Sequence, residues 1–190
     1  MGFLTTEELN SIGFKHVGKN VLISDKASIY GPEMMSIGDE SRIDDFCILS
    51  GEISIGRNVH IAAYNNLAAG KSRIVLQDFA GLAFGCHIIA QSDDYSGTTL
   101  TNPTVPAAYK SENSQPITIG RHAILGTGSI VLPGVTIGDG VSAGAATVFL
   151  KDAEEWSIYV GSPARRLKER SKELLKLEAK YLASLDDEAD

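Results

Sequence analysis

The amino-acid sequence predicts an all-β fold, a parallel β-helix of six-residue repeats with a long protruding loop and a C-terminal α-helix. Three observations support this prediction. Aliphatic residues recur at every sixth position over most of residues 17–161, the recurrence stops across residues 89–118, and an apolar stripe at helical spacing follows residue 162. We therefore divide the chain into an N-terminal helical cap (1–16), the coil with its loop (17–161) and a C-terminal helix with a frayed tail (162–190).

The six-residue count runs through four stretches of the chain. It comprises Val17, Ile23 and Ile29; Ile37, Ile43, Leu49, Ile55, Ile61 and Leu67; Leu76, Leu82 and Ile88; and Ile119, Leu125, Val131, Ile137 and Ala143. Such a period matches neither a helix nor a simple strand. Three units, each a short strand and a turn, close a triangular rung of about 18 residues, and stacked rungs bury one another's open faces.

Small residues and glycines agree with this coil. The fourth residue after each aliphatic position is often small, as at Ala80 and Ala123, and glycine often follows the aliphatic residue, where it tolerates turn dihedrals. Cys47 and Cys86, the only cysteines of the sequence, fall on the small interior position, so we expect both to fill the core. Two thiols cannot build a disulfide framework, which favours a reducing cytoplasm.

Both ends of the coil need caps because stacked rungs leave their terminal faces open. The stretch TTEEL, residues 5–9, predicts a short helix that is N-capped by a threonine and stops at Gly13. Ser162 and Pro163 predict the N-cap and first residue of the C-terminal helix. Its apolar stripe is expected to pack on its own coil or on a neighbouring subunit, and comprises Leu167, Leu174, Leu175, Tyr181, Leu182 and Leu185. Residues 186–190 are expected to fray.

Charge and hydropathy exclude some classes of partner. A net charge of −7 argues against nucleic acid or an anionic membrane as the main partner, although a small basic patch can still hold an anionic cofactor. The N-terminus lacks a signal-peptide pattern, and no apolar run approaches the roughly 18 residues that span a bilayer. We expect a cytoplasmic protein with no membrane partner.

The stretch IGRHAILGTGSIVLPGVTIGDGVSAGAATVFLKD, residues 119–152, followed by VGSPARRLKE, residues 160–169, resembles the hexapeptide-repeat acyltransferases. The likeness is to the maltose, galactoside and streptogramin acetyltransferases and extends over most of residues 17–170. It implies a left-handed coil, which is an exception to the right-handed crossover rule. It also implies a homotrimer, acetyl-CoA as the co-substrate, and an active site between two subunits under the long loop.

The loop departs from that family at its base, where the family carries its catalytic histidine. Aligning QSDDYSG, residues 91–97, places Asp93 at this position, and none of the four histidines lies in the loop. A carboxylate of ordinary pKa is a poor base for a sugar hydroxyl. Three explanations stay open: a raised pKa of Asp93 or Asp94 through their mutual repulsion, a swing of His87 toward the acceptor, or an amine acceptor that needs only a weak base.

The resemblance also assigns binding residues. It implies that the amide of Thr127 stabilises the oxyanion and that Ala145 lies one rung further along the pantetheine arm. Because the chain carries a net charge of −7, the phosphates of coenzyme A need local positive charge, which we expect from the basic cluster of Lys151, Arg165, Arg166 and Lys168. For the acceptor we expect Asp94, Tyr95 and Asn102 in the loop and Asn66 on the coil wall. The Asp pair can instead be a simple turn-former.

We therefore expect an acyltransferase that moves an acetyl group from acetyl-CoA to a hydroxyl or amine of a sugar, either a polysaccharide precursor or a nucleotide sugar. A longer acyl donor is a smaller alternative. A non-catalytic coil or lapsed enzyme is a second alternative, supported by the missing histidine. A zinc site like that of the gamma-class carbonic anhydrases needs two histidines five positions apart, but Thr127 stands five positions after His122, so we expect no metal.

Overall fold

In the computed structural model, which describes residues 2–187 and side chains through Leu185, the aliphatic ladder lines a three-sided coil of short parallel strands. The prediction of the interior positions is confirmed: nearly all of them are buried, and only Val17 and Ile29, in the terminal rung, are partly exposed. Phe149, six residues after Ala143, continues the count and is also buried, with 1% of its surface exposed.

The strands are short and numerous. Before the loop they are β1 (His16–Val17), β2 (Leu22–Ile23), β3 (Ser28–Tyr30), β4 (Met35–Ile37), β5 (Arg42–Ile43), β6 (Ile48–Ile55), β7 (His60–Ile61), β8 (Asn66–Leu76), β9 (Gly81–Leu82) and β10 (His87–Ile89). In the loop and after it they are β11 (Gln91–Asp93), β12 (Glu112–Ser114), β13 (Ile117–Ile119), β14 (Ile124–Leu125), β15 (Ile130–Val131), β16 (Thr136–Ile137), β17 (Ser142–Ala143), β18 (Val148–Phe149), β19 (Ser157–Val160) and β20 (Arg165–Glu169). Two 3-10 turns, Pro32–Met34 and Ala107–Tyr109, lie between them.

Parallel pairing in register stacks the aliphatic residues into three ladders, one per face of the coil. On the first face the ladder is Val17, Ile37, Ile55, Leu76, Ile119 and Ile137. On the second face it is Ile23, Ile43, Ile61, Leu82, Leu125, Ala143 and Tyr159. On the third face it is Ile29, Leu49, Leu67, Ile88, Val131 and Phe149. Each rung therefore has three sides, as the six-residue count predicts.

The corner where the third face turns into the first, which we call the loop corner, absorbs every break in the count. The spacing exceeds six residues there between Ile29 and Ile37, between Leu67 and Leu76, and between Ile88 and Ile119. This corner also carries an extra interior column that the count misses, formed by Met35, Ile53, Ile74 and Ile117, all buried. Insertions are tolerated at a corner because they do not disturb the stacked strands on either side.

The interruption is slightly shorter than residues 89–118. Ala90 and Ile117 are both fully buried in the coil wall, so the projecting segment spans residues 91–116. Both cysteines fill the interior as expected, since Cys47 and Cys86 are fully buried. Burial raises the pKa of the Cys47 thiol to about 11, which keeps it protonated and unreactive near neutral pH.

The N-terminal cap forms as predicted. Helix α1 (Thr6–Ile12) has Thr5 as N-cap, with a reciprocal pair of hydrogen bonds between Thr5 and Glu8, and it ends at Gly13 in the left-handed conformation. Leu9 is buried against the first rung and closes that end of the core. The open end that stacked rungs leave is therefore covered by a helix.

The predicted start of the C-terminal helix is wrong. Ser162 and Pro163 do not begin it: residues 165–169 form β20, which pairs antiparallel with β19, and helix α2 spans Leu174–Asp187. Leu167 of the predicted stripe is consequently an exposed strand residue. Of the expected frayed tail, residues 188–190 lie outside the described residues. Neither described helix is long and apolar enough to cross a membrane.

Candidate functional site

The loop leaves the coil as a two-stranded hairpin rather than as irregular chain. Strand β11 pairs antiparallel with β12, and Asp93 lies directly opposite Glu112. Further out, Leu100 bridges Lys110. A ladder of backbone hydrogen bonds holds the base of the loop. The hairpin therefore presents Asp93 in a defined position beside the coil.

Asp93 has a half-buried carboxylate with free capacity to accept hydrogen bonds. The backbone N–H of Asn102 donates to its Oδ2 at 3.1 Å, and Oδ1 meets no donor among the described residues. The carboxylate opens into a cleft of about 310 Å³ whose lining includes Tyr95, Lys110 and Glu112. A group with this exposure and this geometry can take a proton from a ligand in the cleft.

Asp94 is engaged by the loop itself. Its carboxylate accepts hydrogen bonds from the backbone N–H of Ser96 at 2.8 Å, the hydroxyl of Thr98 at 2.9 Å and the hydroxyl of Thr99 at 3.1 Å. These bonds, chiefly from Ser96, hold the pKa of Asp94 well below its usual range. The expected rise is therefore wrong for Asp94, which organises the turn and has little capacity left for a ligand.

The other residues expected to bind the acceptor are spread over two surfaces. Tyr95 is 90% exposed at the loop. The side-chain oxygen of Asn102 accepts a hydrogen bond from the backbone N–H of Thr104, and the backbone N–H of Asn102 donates to Asp93. Asn66 lies on the outside of the third face, directly beside His87 in the parallel register. The strands of His87 and Asn66 are neighbours, and neighbouring strands lie roughly 4.8 Å apart. Neither residue lines the loop cleft.

Thr127 and Ala145 occupy the corner between the second and third faces, which we call the Thr127 corner. The expected stacking is present, since the N–H of Ala146 donates to the carbonyl of Thr127 at 2.8 Å. Both Thr127 and Ala145 are exposed, and the backbone N–H of Thr127 finds no acceptor within the described part of the chain. A backbone N–H without an acceptor in the protein can stabilise an oxyanion.

The basic cluster divides at the far end of the coil. Lys151 and Arg165 line a cavity of about 270 Å³ together with Tyr159 and Pro163, and neither cation has an ion-pair partner in residues 2–185. Arg166 is different: its Nε donates to the hydroxyl of Ser157 at 2.9 Å and it also faces Glu154. Two free cations can therefore meet phosphate at this end, while Arg166 is held by the protein.

The structure brings only some of the expected site residues together. Asp93 and Tyr95 share the loop cleft, His87 and Asn66 share the third face, and the basic pair lies at the end of the coil. The sequence analysis missed Lys110 and Glu112, which line the cleft beside Asp93. Lys110 and Glu112 are two positions apart in KSEN, residues 110–113, a spacing typical of a strand with one charged face. This spacing could have indicated that both side chains lie on the same side of the loop.

No metal centre is evident. The residues that the structure describes contain no group of three or more His, Cys, Asp or Glu side chains close enough to hold an ion. His122, the starting point of the zinc alternative, is covered by α2, where its Nε2 lies 3.0 Å from Glu178. Its role is to dock the helix.

Comparisons with known proteins give close relatives, although no family model matches the chain. It is 43% identical over 187 residues to a dTDP-4-amino-4,6-dideoxy-D-glucose acyltransferase of Escherichia coli, covering 97% of both chains. It superimposes with a TM-score of 0.95 and 46% identity on AntD, an N-acyltransferase from Bacillus cereus in complex with dTDP and 3-hydroxybutyryl-CoA, covering 97% of this chain and 98% of AntD.

A more distant match agrees on the fold alone. A maltose O-acetyltransferase from Clostridium difficile has a TM-score of 0.57 and 22% identity, covering 87% of this chain and 75% of that enzyme. The coil is thus common to sugar acyltransferases of diverged sequence. With near-complete coverage by the E. coli relative and the same coil as AntD, the chain belongs to the hexapeptide-repeat acyltransferases and is a CoA-dependent enzyme that transfers an acyl group to a sugar.

Proposed function

We propose that the acceptor is the amine of a nucleotide-linked amino sugar, of the type dTDP-4-amino-4,6-dideoxyglucose, and that the product is an amide. The E. coli relative is named for this sugar, and a mutant of AntD has been crystallised with the same compound and coenzyme A. The acetyl group expected from the sequence is one donor to test, and the 3-hydroxybutyryl-CoA bound to AntD supports testing longer acyl groups as well.

The observation that carries the proposal is the free carboxylate of Asp93 in a cleft that no imidazole lines. A neutral amine is already nucleophilic, whereas a sugar hydroxyl must lose a very weakly acidic proton as it attacks. Among the three explanations for the missing loop histidine, the structure therefore favours an amine acceptor with Asp93 as a weak proton acceptor.

The reaction then proceeds by addition and elimination. The amine nitrogen attacks the thioester carbonyl, a C–N bond forms, and the carbonyl oxygen becomes an oxyanion that the amide of Thr127 stabilises. Asp93 takes the proton that the nitrogen loses. The C–S bond breaks, and the thiolate of coenzyme A leaves and receives a proton.

Coenzyme A would run from the end cavity toward the Thr127 corner. Lys151 and Arg165 offer their free positive charges to its phosphates, and the small side chain of Ala145 leaves room for the pantetheine arm. This arrangement places local positive charge where an anionic cofactor needs it in a chain whose net charge is −7.

We further propose that the enzyme acts as a cytoplasmic homotrimer, with the loop of one protomer reaching the Thr127 corner of the next. Within one chain, Asp93 follows the third face and Thr127 precedes it, and Thr127 is not part of the lining of the loop cleft. The Thr127 corner continues into a column of exposed aromatic residues on successive rungs, Phe46, Tyr64 and Phe84. Phe46 and Tyr64 stack with their ring centroids 5.2 Å apart. Such a surface is typical of an interface.

The test measures thiol release from acetyl-CoA and 3-hydroxybutyryl-CoA with dTDP-4-amino-4,6-dideoxyglucose and with the corresponding 4-hydroxy sugar. We expect turnover only with the amine, and a product whose mass shows an amide. Asp93→Asn should lower kcat by about 100-fold or more, while His87→Asn, which removes the imidazole considered as an alternative base, should change kcat little.

The opposite pattern would reject the proposal. Preference for the hydroxyl sugar, with His87→Asn inactive and Asp93→Asn active, would indicate O-acylation with His87 as base. Binding of acyl-CoA without release of its thiol in the presence of any acceptor would indicate a lapsed enzyme.

A further inference from the structure

The interior of the Thr127 corner is lined by polar side chains. They are the fourth residues after successive members of the second-face ladder, all are buried, and each donates a hydrogen bond to a backbone carbonyl of the corner: Cys47, Asn65, Cys86, Ser129 and Thr147. At the equivalent positions of the corner between the first and second faces, apolar residues predominate: Val21, Val59, Ala80, Ala123 and Val141. A polar column inside a hydrophobic coil needs a reason.

In the rung of Thr127, this column holds the carbonyl of Gly126. The hydroxyl of Ser129 donates to it at 2.6 Å, and the thiol of Cys86, from the preceding rung, donates to it at 3.4 Å. Burial raises the pKa of the Cys86 thiol, so this group stays protonated near neutral pH and can act as a weak donor. The backbone N–H of Ser129 completes the set at 3.1 Å. Three donors therefore fix the direction of one carbonyl.

The direction of this carbonyl determines the direction of the next amide. The C=O of Gly126 and the N–H of Thr127 belong to one planar trans peptide group, in which they point in opposite directions. Ser129 and Cys86 are fully buried, so the carbonyl points into the coil. The N–H of Thr127 must then point out of the coil, where a ligand can meet it.

The turn itself does not need the hydroxyl of Ser129. The same backbone bond across the corner forms where the side chain is apolar, from Ala123 to Gly120 at 3.1 Å and from Val141 to Gly138 at 3.2 Å. A second difference concerns the amides that point outward at these corners. The N–H of Arg121, which follows Gly120, donates to Oδ1 of Asp139 at 2.9 Å. An acceptor outside the coil thus fixes that amide, as it also fixes those of Lys19 and Arg57.

The N–H of Thr127 has no such acceptor in the part of the chain that the structure describes. An amide that must stay free for a ligand can be held only from its carbonyl side. Gly126 adds to this need, because glycine restricts the adjoining torsion less than other residues do. The close packing of rungs requires that glycine, since an added Cβ would lie 2.7 Å from the backbone N of Ala145.

We infer that Ser129 is a positioning residue, whose hydroxyl holds the peptide between Gly126 and Thr127 so that the N–H of Thr127 faces the oxyanion, with Cys86 as a weaker second donor. This inference rests on the proposed role of the Thr127 amide. Hydrogen bonds in a chain polarise one another, so a bond to the carbonyl also makes the N–H of the same peptide a stronger donor. The oxyanion develops only as the reaction proceeds, and the effect therefore falls on kcat and not on KM.

The test is the kinetics of Ser129→Ala with acyl-CoA and the amino sugar. We expect kcat to fall by about 10-fold, less than the 100-fold to 1,000-fold that loss of a whole oxyanion donor costs. The KM values of both substrates should not change. Ser129→Thr keeps the hydroxyl and should retain most of the kcat, because Thr147 occupies the same position in the next rung.

Ser41→Ala provides the matched control. Ser41 is also buried, and its hydroxyl donates to the carbonyl of a corner glycine, Gly56, at 2.8 Å, but it lies at the corner between the first and second faces. Thermal unfolding should show a similar loss of stability for both alanine variants, while Ser41→Ala keeps its kcat. Equal losses of kcat in the two variants, or full kcat in Ser129→Ala, would overturn the inference.

Thr127→Pro separates this inference from the proposed function. Proline removes the N–H and suits the second position of a turn such as residues 126–129. It should lower kcat at least about 100-fold, and Ser129→Ala should then have no further effect. If Thr127→Pro lowers kcat but Ser129→Ala alone does not, the role of the amide holds and that of Ser129 is refuted. If Thr127→Pro keeps full kcat, the proposed oxyanion amide fails, and the inference fails with it.

Discussion

At the scale of single residues, the glycines that directly follow an interior aliphatic residue are needed for a reason other than turn dihedrals. Gly38 follows an interior aliphatic residue and was expected to serve a turn dihedral. The left-handed conformation is instead taken two residues later, by Glu40 at φ 58°, as it is by Phe79 and His122 on other rungs. A Cβ added at Gly38 would lie 2.6 Å from the backbone carbon of Gly56 in the next rung. The rung spacing requires this glycine.

Gly38→Ala should therefore destabilise the protein by about 1–3 kcal/mol, because the clash is with backbone that cannot move without separating two rungs. Gly81→Ala is the matched control, since its Cβ would meet only a side-chain carbon of Ile124 at 3.8 Å. It should be close to neutral. Denaturant unfolding followed by circular dichroism measures both, and equal losses would contradict the steric explanation.

At the scale of elements, the end of the coil was predicted as one helix and is a strand followed by a helix. The cap signal of Ser162 and Pro163 is local, whereas β19 leaves an unpaired edge that residues 165–169 satisfy by antiparallel pairing. The helix then packs on its own coil, one of the two expected possibilities, through Glu178 against Arg121 and His122.

Glu178→Gln should destabilise the docked helix by about 2 kcal/mol at pH 7. Burial opposes ionisation of Glu178, but hydrogen bonds from Arg121 and His122 outweigh it and lower its pKa. Because the folded pKa is depressed, this stabilisation is present above the ordinary value of 4.5 and is lost as pH falls through the folded pKa.

Thermal unfolding at pH 7 and near pH 3 measures this dependence. The difference between the natural protein and Glu178→Gln should shrink at the lower pH. Glu173→Gln is the control, since its side chain is 75% exposed and it should have little effect at either pH. A difference that does not change with pH would show that the charge of Glu178 contributes nothing.

At the scale of the whole molecule, one chain does not bring the two groups proposed for catalysis into one cleft. The proton acceptor proposed in the loop and the amide proposed at the Thr127 corner belong to separate surfaces, and the aromatic column of Phe46, Tyr64 and Phe84 lies beside the second of them. A neighbouring protomer that covers this column would bring a loop to the corner.

If the proposed trimer forms, Tyr64→Asp should dissociate it and lower activity about 100-fold or more, because the substitution places a charge in the proposed interface. Tyr30→Asp is the matched control: both tyrosines are 62% exposed, but Tyr30 lies at the loop corner in the first rung. Light scattering after size exclusion, together with thiol release, measures the effect. A monomeric natural enzyme with full activity would reject the proposed interface.

Much of the fold could be predicted because its contacts repeat at a constant distance along the chain. Ile37, Ile55 and Leu76 meet in one ladder since each lies one rung from the next, so a local count is enough to place them in the core. The open ends and the loop break this rule. Their partners are not set by a period, which is why the start of α2 and the roles of the loop residues could not be predicted.

For the candidate site, too, the sequence predicted one part and only the tertiary structure determined the rest. The sequence, together with its family resemblance, predicted that the loop bears the acceptor site, that the base of the loop carries a carboxylate in place of an imidazole, and that the basic cluster of Lys151, Arg165, Arg166 and Lys168 holds the phosphates of coenzyme A. It could not distinguish Asp93 from Asp94, which are adjacent and chemically alike. Only the hairpin register, which turns Asp94 into the loop and sets Asp93 opposite Glu112 beside a buried lysine, separates them. The reason is that the hydrogen-bond partners of a side chain depend on distances in space, which a sequence reveals only where they repeat.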